Sequence, residues 1–221
     1  MSLKKIFFKS KLSYKVYLYY NLYIRHKGFL KREKYSQWGE DKFIAEYFKD
    51  KDKGIYLDIG CFNPFMYSNT CLLHKKGWSG INIDINPTSI DLFNIARPKD
   101  FNICTTINNE KKLFEVYLDD PFSPLNTLDK KLGNSFSSNE KNKSVESKSI
   151  SEIINLSGIK KSIDFINIDV EGNDYKILTQ INIHKLKPKL ISIETHNVDG
   201  SESENFQNIC DYLTKNYFAV F

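Results

Sequence analysis

Gly54-Ile55-Tyr56-Leu57-Asp58-Ile59-Gly60 decides how this 221-residue chain is read. A near-continuous apolar run that stops at an acid and a glycine is the pattern of a buried strand entering a turn. The pattern returns at Gly80-Ile81-Asn82-Ile83-Asp84-Ile85-Asn86-Pro87, and again over 163–172 and 188–196. Helical patterns lie between these runs: 69–76 stopped by Gly77, 89–95 entered through Pro87, then 150–156, 175–181 and 205–215. Ahead of the first run, Ser36 precedes Glu40 and Asp41 and then the stripe Phe43, Ile44, Tyr47 and Phe48, which predicts a short capped helix. Further strands are expected at 102–107, at 113–118 as an antiparallel or edge strand, and at 217–221. Apolar strands alternating with helices specify a mostly parallel central sheet flanked by helices on both faces. Residues 119–149, rich in Ser, Asn and Lys, predict an irregular loop or lid.

The length suits one α/β domain, placed at 35–221, behind a basic aromatic helical segment at 1–34. That segment holds ten Lys/Arg and one acid, Glu33. Its net charge of +9 within a chain of +5 leaves −4 for the domain. Nucleic acid is therefore not an expected partner, because phosphate binding needs a basic face on the domain itself. Two readings of 1–34 stay open. Its tyrosines and lysines fit peripheral contact with an anionic membrane, and its stripe Tyr17, Tyr20 and Ile24 fits packing on the sheet. The four cysteines lack zinc-site spacing and read as buried reduced thiols, so a cytoplasmic protein is expected, peripheral at the inner membrane surface if the leader docks there. No apolar run approaches the roughly 20 residues that span a bilayer, and no secretory signal pattern opens the chain.

In open α/β sheets ligands bind beyond the carboxyl ends of the strands. Here those ends carry Asp58 and Gly60, Asp84, Asp169-Val170-Glu171-Gly172, and Glu194-Thr195-His196. An acid after the second strand can accept both ribose hydroxyls of a nucleoside. Carboxylates around a cofactor suit positive sulfonium and ammonium groups, where phosphates would want a glycine-rich loop. Capping of the following helices is the competing role for Asp58 and Asp84, and a solvated loop pair is the competing role for Asp169 and Glu171.

Five blocks now stand in order: Tyr35-Ser36-Gln37-Trp38-Gly39-Glu40-Asp41, Tyr56-Leu57-Asp58-Ile59-Gly60, Ser68-Asn69-Thr70, Gly77-Trp78-Ser79-Gly80-Ile81 and Ile168-Asp169-Val170-Glu171-Gly172. Together they resemble the FkbM family of methyltransferases from about Tyr35 to His196. The resemblance implies a Rossmann-like class I methyltransferase fold, S-adenosylmethionine as cofactor, and O-methylation of a sugar or glycan-linked hydroxyl. Carried over, Asp58 and Gly60 form the cofactor turn, with Asn63, Ser68, Asn69 and Thr70 lining it. Asp84, followed by Asn86, binds the ribose. Asp169 and Glu171 face the transfer centre, and Gln37 and Glu40 close the site on the substrate side. Two departures stand out. The second glycine expected soon after Gly60 is replaced by Cys61-Phe62-Asn63-Pro64-Phe65, and the family's further hairpin strand does not follow before Phe221, so either a sheet one strand short or a truncated chain is expected.

Methyl transfer needs a hydroxyl held in line and a base for its proton. Asp169 is the favoured base, with Glu171 orienting substrate or completing a divalent-metal site, for which no ligand spacing is present. His196 has the better intrinsic pKa for base work but can be structural. The rival readings are a nucleotide-binding dehydrogenase, disfavoured by the missing GxGxxG, and a catalytically silent scaffold subunit, suggested by the Cys61–Phe65 departure.

Overall fold

The computed structural model describes residues 10–118, 120–124, 126–128, 130–134, 143–170, 172–196, 200–216 and 218–220. In chain order the elements are α1 (Lys11–Tyr20), α2 (Glu40–Tyr47), β1 (Ile55–Ile59), α3 (Cys71–Lys75), β2 (Ser79–Asp84), α4 (Pro87–Ala96), β3 (Phe101–Cys104), β4 (Thr106–Ile107) and β5 (Leu113–Val116). They continue with α5 (Lys130–Asn134), β6 (Lys143–Lys148), α6 (Ile150–Ser157), β7 (Phe165–Ile168), α7 (Asp174–Leu178), α8 (Ile183–Leu186), β8 (Leu190–Ile193) and α9 (Phe206–Lys215).

Five strands form one all-parallel sheet in the order β3-β2-β1-β7-β8. This is the expected Rossmann-like architecture. The strand order reverses between β1 and β7, which opens a crevice beyond their carboxyl ends. Leu57, Ile59, Ile81, Ile83, Ile166 and Ile168 fill one face with Ile153, Ile177, Leu178, Ile209 and Leu213. Tyr56, Phe165 and Leu190 pack on the other with Ile44, Phe48, Leu73 and Trp78. Each such side chain taken from water contributes about 1.5–3 kcal/mol, so the sheet is fixed from both sides.

Ser36 does cap α2, from outside the helix. Its hydroxyl accepts from the amides of Gly39 (2.9 Å) and Asp41 (3.2 Å) and donates to the Asp41 carboxylate (2.6 Å). Several other expectations are corrected. The strand expected over 102–107 is two: β3 stays in the main sheet, while β4 leaves at Thr105 to pair with β6. Residues 119–149 are not irregular throughout, because β6 runs antiparallel to β5 and parallel to β4 as the centre of a three-stranded sheet. Residues 119, 125, 129 and 135–142 of that stretch lie outside the described residues. No strand forms over residues 218–220; Tyr217 and Phe221 lie outside the description. Cys61 and Cys71 are buried as expected, whereas Cys104 is exposed; edge strand β3 leaves it uncovered.

Of the basic segment, 1–9 lie outside the described residues. α1 packs on α4 through Tyr14 and Leu18, joined by Leu22 of the helical turn Asn21–Arg25 that continues it, with Leu92 and Ile95 opposite. The Tyr14 hydroxyl donates to Asp91 (2.8 Å). Of the expected stripe only Tyr17 is buried; Tyr20 and Ile24 face outward. The helix has turned the 14, 17, 18, 21, 22 side inward instead, and Asn21 is buried there as well.

Candidate active site

A cavity of about 1020 Å³ occupies the crevice at the carboxyl ends of the central strands. That volume is at the upper end for a small-molecule site. Ile59, Gly60, Asp84, Asn167 and Asp169 make its floor, and Gln37, Trp38 and Glu40 close it from the start of α2. Thr105, Thr106, Ile107 and Phe114 of the small sheet, with Ser123, Pro124, Asn126 and Leu128, form the far wall. Four carboxylates line it (Glu40, Asp84, Asp169, Glu194), against one ammonium, Lys176, among the described lining residues.

The turn after β1 is shaped by backbone conformations that side chains resist. Gly60 has φ +82°, and a Cβ there would stand 1.6 Å from the carbonyl oxygen of Asp169. Any side chain there would force the ends of β1 and β7 apart. Phe62 (φ +43°) and Tyr67 (φ +56°) also sit in the left-handed region, an outlying conformation for bulky residues. Phe62 thus takes, with strain, the backbone that the missing second glycine would adopt freely. Its amide then reaches the Asp84 carboxylate (2.9 Å), whose other oxygen accepts from the Asn86 amide (2.7 Å). Burial pushes the Asp84 carboxyl up to about 6, against the opposing pull of these two amides. Asn86 itself caps α4 through Thr88 (3.0 Å) and holds the carbonyl of Pro121 (2.8 Å).

At the end of β7 the Asp169 amide donates to Ile59 (2.9 Å), tying the candidate base to the Gly60 turn. Asp174, which no sequence signal singled out, accepts from the amides of Val170 (2.9 Å) and Gly172 (3.1 Å) and so fixes the loop. Burial raises its carboxyl to about 6. Glu171 lies outside the described residues. His196 reaches the cavity from beyond β8, exposed, with Thr195 Oγ1 3.3 Å from its Nδ1. No cluster of three His, Cys, Asp or Glu capable of holding a metal occurs among the described residues.

Gly60, Asn69, Asp84, Asp169, His196, Gln37 and Glu40 therefore meet at one cavity. Asp58, Asn63, Ser68, Thr70 and Asn86 are buried behind its wall. Asn63 shapes the turn by accepting from the amides of Phe65 and Met66 (both 3.0 Å). Asp58 accepts from Thr70 Oγ1 (2.6 Å) and Asn167 (2.9 Å), and Asn69 in the cavity wall donates to Asn167 (2.9 Å). Burial raises the Asp58 carboxyl, opposed by the Thr70 bond and the charge of Arg97. Arg97 is the residue that the sequence hid. Only 1% exposed, it donates to Thr70 (2.8 Å), Pro64 O (2.7 Å), Ser68 (3.1 Å) and Tyr56 (3.1 Å), pinning the whole 64–70 loop under the cavity.

The network rests on a polar row that crosses the sheet. Register pairs Asn102 with Asn82, Asn82 with Asp58, Asp58 with Asn167, and Asn167 with Ser192. Asn82 bonds Asn102 (2.8 Å) and Asp100 (3.1 Å), and Asp100 also accepts from the Tyr56 hydroxyl. Each row residue is followed by isoleucine in the sequence, a repeated Asp/Asn/Ser-Ile pair that could have revealed it.

Residues 58–219 match the family model described as the methyltransferase FkbM domain. The match begins at Asp58, after the Tyr35–Asp41 block. No curated protein and no solved structure matches the chain.

Proposed function

The chain belongs to the FkbM methyltransferase family, and from that premise we propose that it uses S-adenosylmethionine to methylate a hydroxyl of a sugar or glycan-linked acceptor. The observation that carries this reading is the acid-lined cavity at the sheet's switch point, with its four carboxylates against one ammonium. A sulfonium cofactor with an amino-acid tail brings two positive groups to such a lining, whereas a dinucleotide would bring phosphates. Bound there, the cofactor supplies a methyl group already activated by positive sulfur.

Everything else falls to the chain's own residues. Asp84, held by two amides at one end of the cavity, accepts the ribose hydroxyls with its remaining lone pairs. Asp169 takes the acceptor's hydroxyl proton on its carboxylate, and Asp174 keeps the loop behind it in place. At the mouth, Trp38 is 82% exposed and Tyr67 47%. Flat aromatic faces there suit the C–H face of a sugar ring, with Gln37 and Glu40 alongside for its hydroxyls. The left-handed Phe62 supports an intact cofactor turn, which weighs against a silent scaffold.

Calorimetry on the full chain with S-adenosylmethionine, S-adenosylhomocysteine and NAD tests the reading. Binding of both adenosyl compounds and not NAD is expected. Binding of NAD alone, or of none of the three by folded protein, overturns it.

A further inference from the structure

α1 and the helical turn that continues it carry apolar side chains on two opposite sides. The inward side, Tyr14, Tyr17, Leu18 and Leu22, is covered by α4 and Phe122. The outward side carries Leu12, Val16, Tyr19 and Tyr23 at i, i+4, i+7 and i+11, which are 75, 53, 45 and 39% exposed. Tyr20 and Ile24 widen that stripe. Single exposed apolar residues are ordinary, but a row of six at helical spacing marks an interaction surface.

Charge decides what covers it. Lys11, Lys15, Arg25 and Lys27 on the same segment are exposed, and residues 1–34 hold ten cations against Glu33. A second copy docking face to face would bring two such segments together and repel. An anionic bilayer surface complements the cations and accepts the apolar stripe, and tyrosine suits the headgroup boundary. No helix among the described residues is long and apolar enough to cross a membrane.

We propose that the outward face of α1 docks in the plane of an anionic lipid surface. The same segment packs on two stretches that neighbour the cavity lining. Tyr17 packs edge-on to Phe122 (5.4 Å), next to wall residue Ser123, and Tyr23 packs on Phe65 (6.3 Å) in the turn after β1. Docking would hold the cavity beside the headgroups, where a lipid-anchored acceptor is presented; only that last step rests on the proposed function.

Co-sedimentation of the full chain with phosphatidylcholine vesicles containing about 30% phosphatidylglycerol tests the docking at low salt. Binding is expected, weakened at least about tenfold on pure phosphatidylcholine or in about 0.5 M salt. Leu12→Ser/Val16→Ser/Tyr19→Ser should weaken it at least about tenfold as well, leaving S-adenosylhomocysteine affinity unchanged. Lys11→Glu/Lys15→Glu should do the same by charge alone, and it remains informative if the triple variant does not fold. No binding at low salt, binding indifferent to the charge reversal, or self-association that the charge reversal strengthens overturns the proposal. Adenosyl binding is read separately, so failure of docking leaves the cofactor reading standing.

Discussion

Replacing Gly60 with alanine strikes the point where β1 hands the chain to the cavity. The new Cβ would lie 1.6 Å from the Asp169 carbonyl oxygen and 2.7 Å from its carbon. Real Cβ contacts essentially never fall under 3.0 Å, so that oxygen must retreat by about 1.4 Å. Displacing the packed end of β7 costs about 1–3 kcal/mol. Holding alanine at φ +82° adds about 1–2 kcal/mol, and the stiffer unfolded chain returns about 0.4–1 kcal/mol. The net loss is roughly 1–5 kcal/mol of stability. Turnover should fall further, by about 10²-fold, because the Asp169 carboxylate moves with its backbone and misplacement of about 1 Å is felt at a reacting centre. Urea unfolding followed by Trp38 and Trp78 fluorescence reads the first effect, and single-turnover methyl transfer the second. Gly28→Ala is the control, since nothing lies within 4 Å of its Cβ position. Gly60→Ala matching that control in both assays would refute the close approach of β1 to β7.

Asp84, raised to about 6 by burial, should make S-adenosylhomocysteine binding pH-dependent. In the proposed role the ionised form accepts the ribose, so affinity should fall up to about tenfold per unit below pH 6; Asp84→Asn should flatten the calorimetric profile. Without ligand the sign reverses. Raised folded pKa values at Asp84 and Asp174 give stability that is fully present below about pH 4 and lost as pH rises through about 6, so thermal unfolding should show these two groups favouring the fold on acidification from pH 7 to 5. Asp169→Asn should lower turnover about 10²–10⁴-fold with cofactor affinity kept; if His196→Ala alone has that effect, the base is His196. Arg97→Met should cost about 3–5 kcal/mol in urea unfolding, because it strips charge and donors from buried Asp58, Thr70 and Ser68.

The main-sheet strands were legible because strands buried on both faces keep isoleucine at alternate positions along one side, as Ile81 and Ile83, and Ile166 and Ile168, do. Asp84 and Asp169 were legible as acids that follow those strands, and both line the cavity. β6 was not. Lys143-Ser144-Val145-Glu146-Ser147-Lys148 buries only Val145 and Ser147, and its partners lie far away along the chain. Ser147 is held by the carbonyls of Glu110 (3.0 Å) and Lys112 (3.1 Å), contacts with no local signature. Arg97, set between Ala96 and Pro98, looks like a surface charge ending a helix, and its burial depends on a loop some thirty residues earlier. Asp58 was found but placed in the wrong layer: its carboxylate turns back under the cavity to Thr70 and Asn167, because β1 sits at the centre of the sheet.

The polar row also answers a question that the isoleucines leave open. Slide β7 by two residues along β1, and on one face Leu57 still meets Ile168, or Ile59 meets Ile166, so apolar contact alone would accept several alignments. On the other face the same slide sets Asn167 against Tyr56 or Gly60, leaves Asp58 facing Phe165 or Asp169, and breaks the bond between Asn167 and Asp58. Each buried amide or carboxylate so orphaned costs about 1–3 kcal/mol, and neighbouring strands would share the penalty. The row works as the notches of a key: a sheet with valine in place of Asn82, Asp58 and Asn167 would still cohere, but more than one alignment would turn the lock.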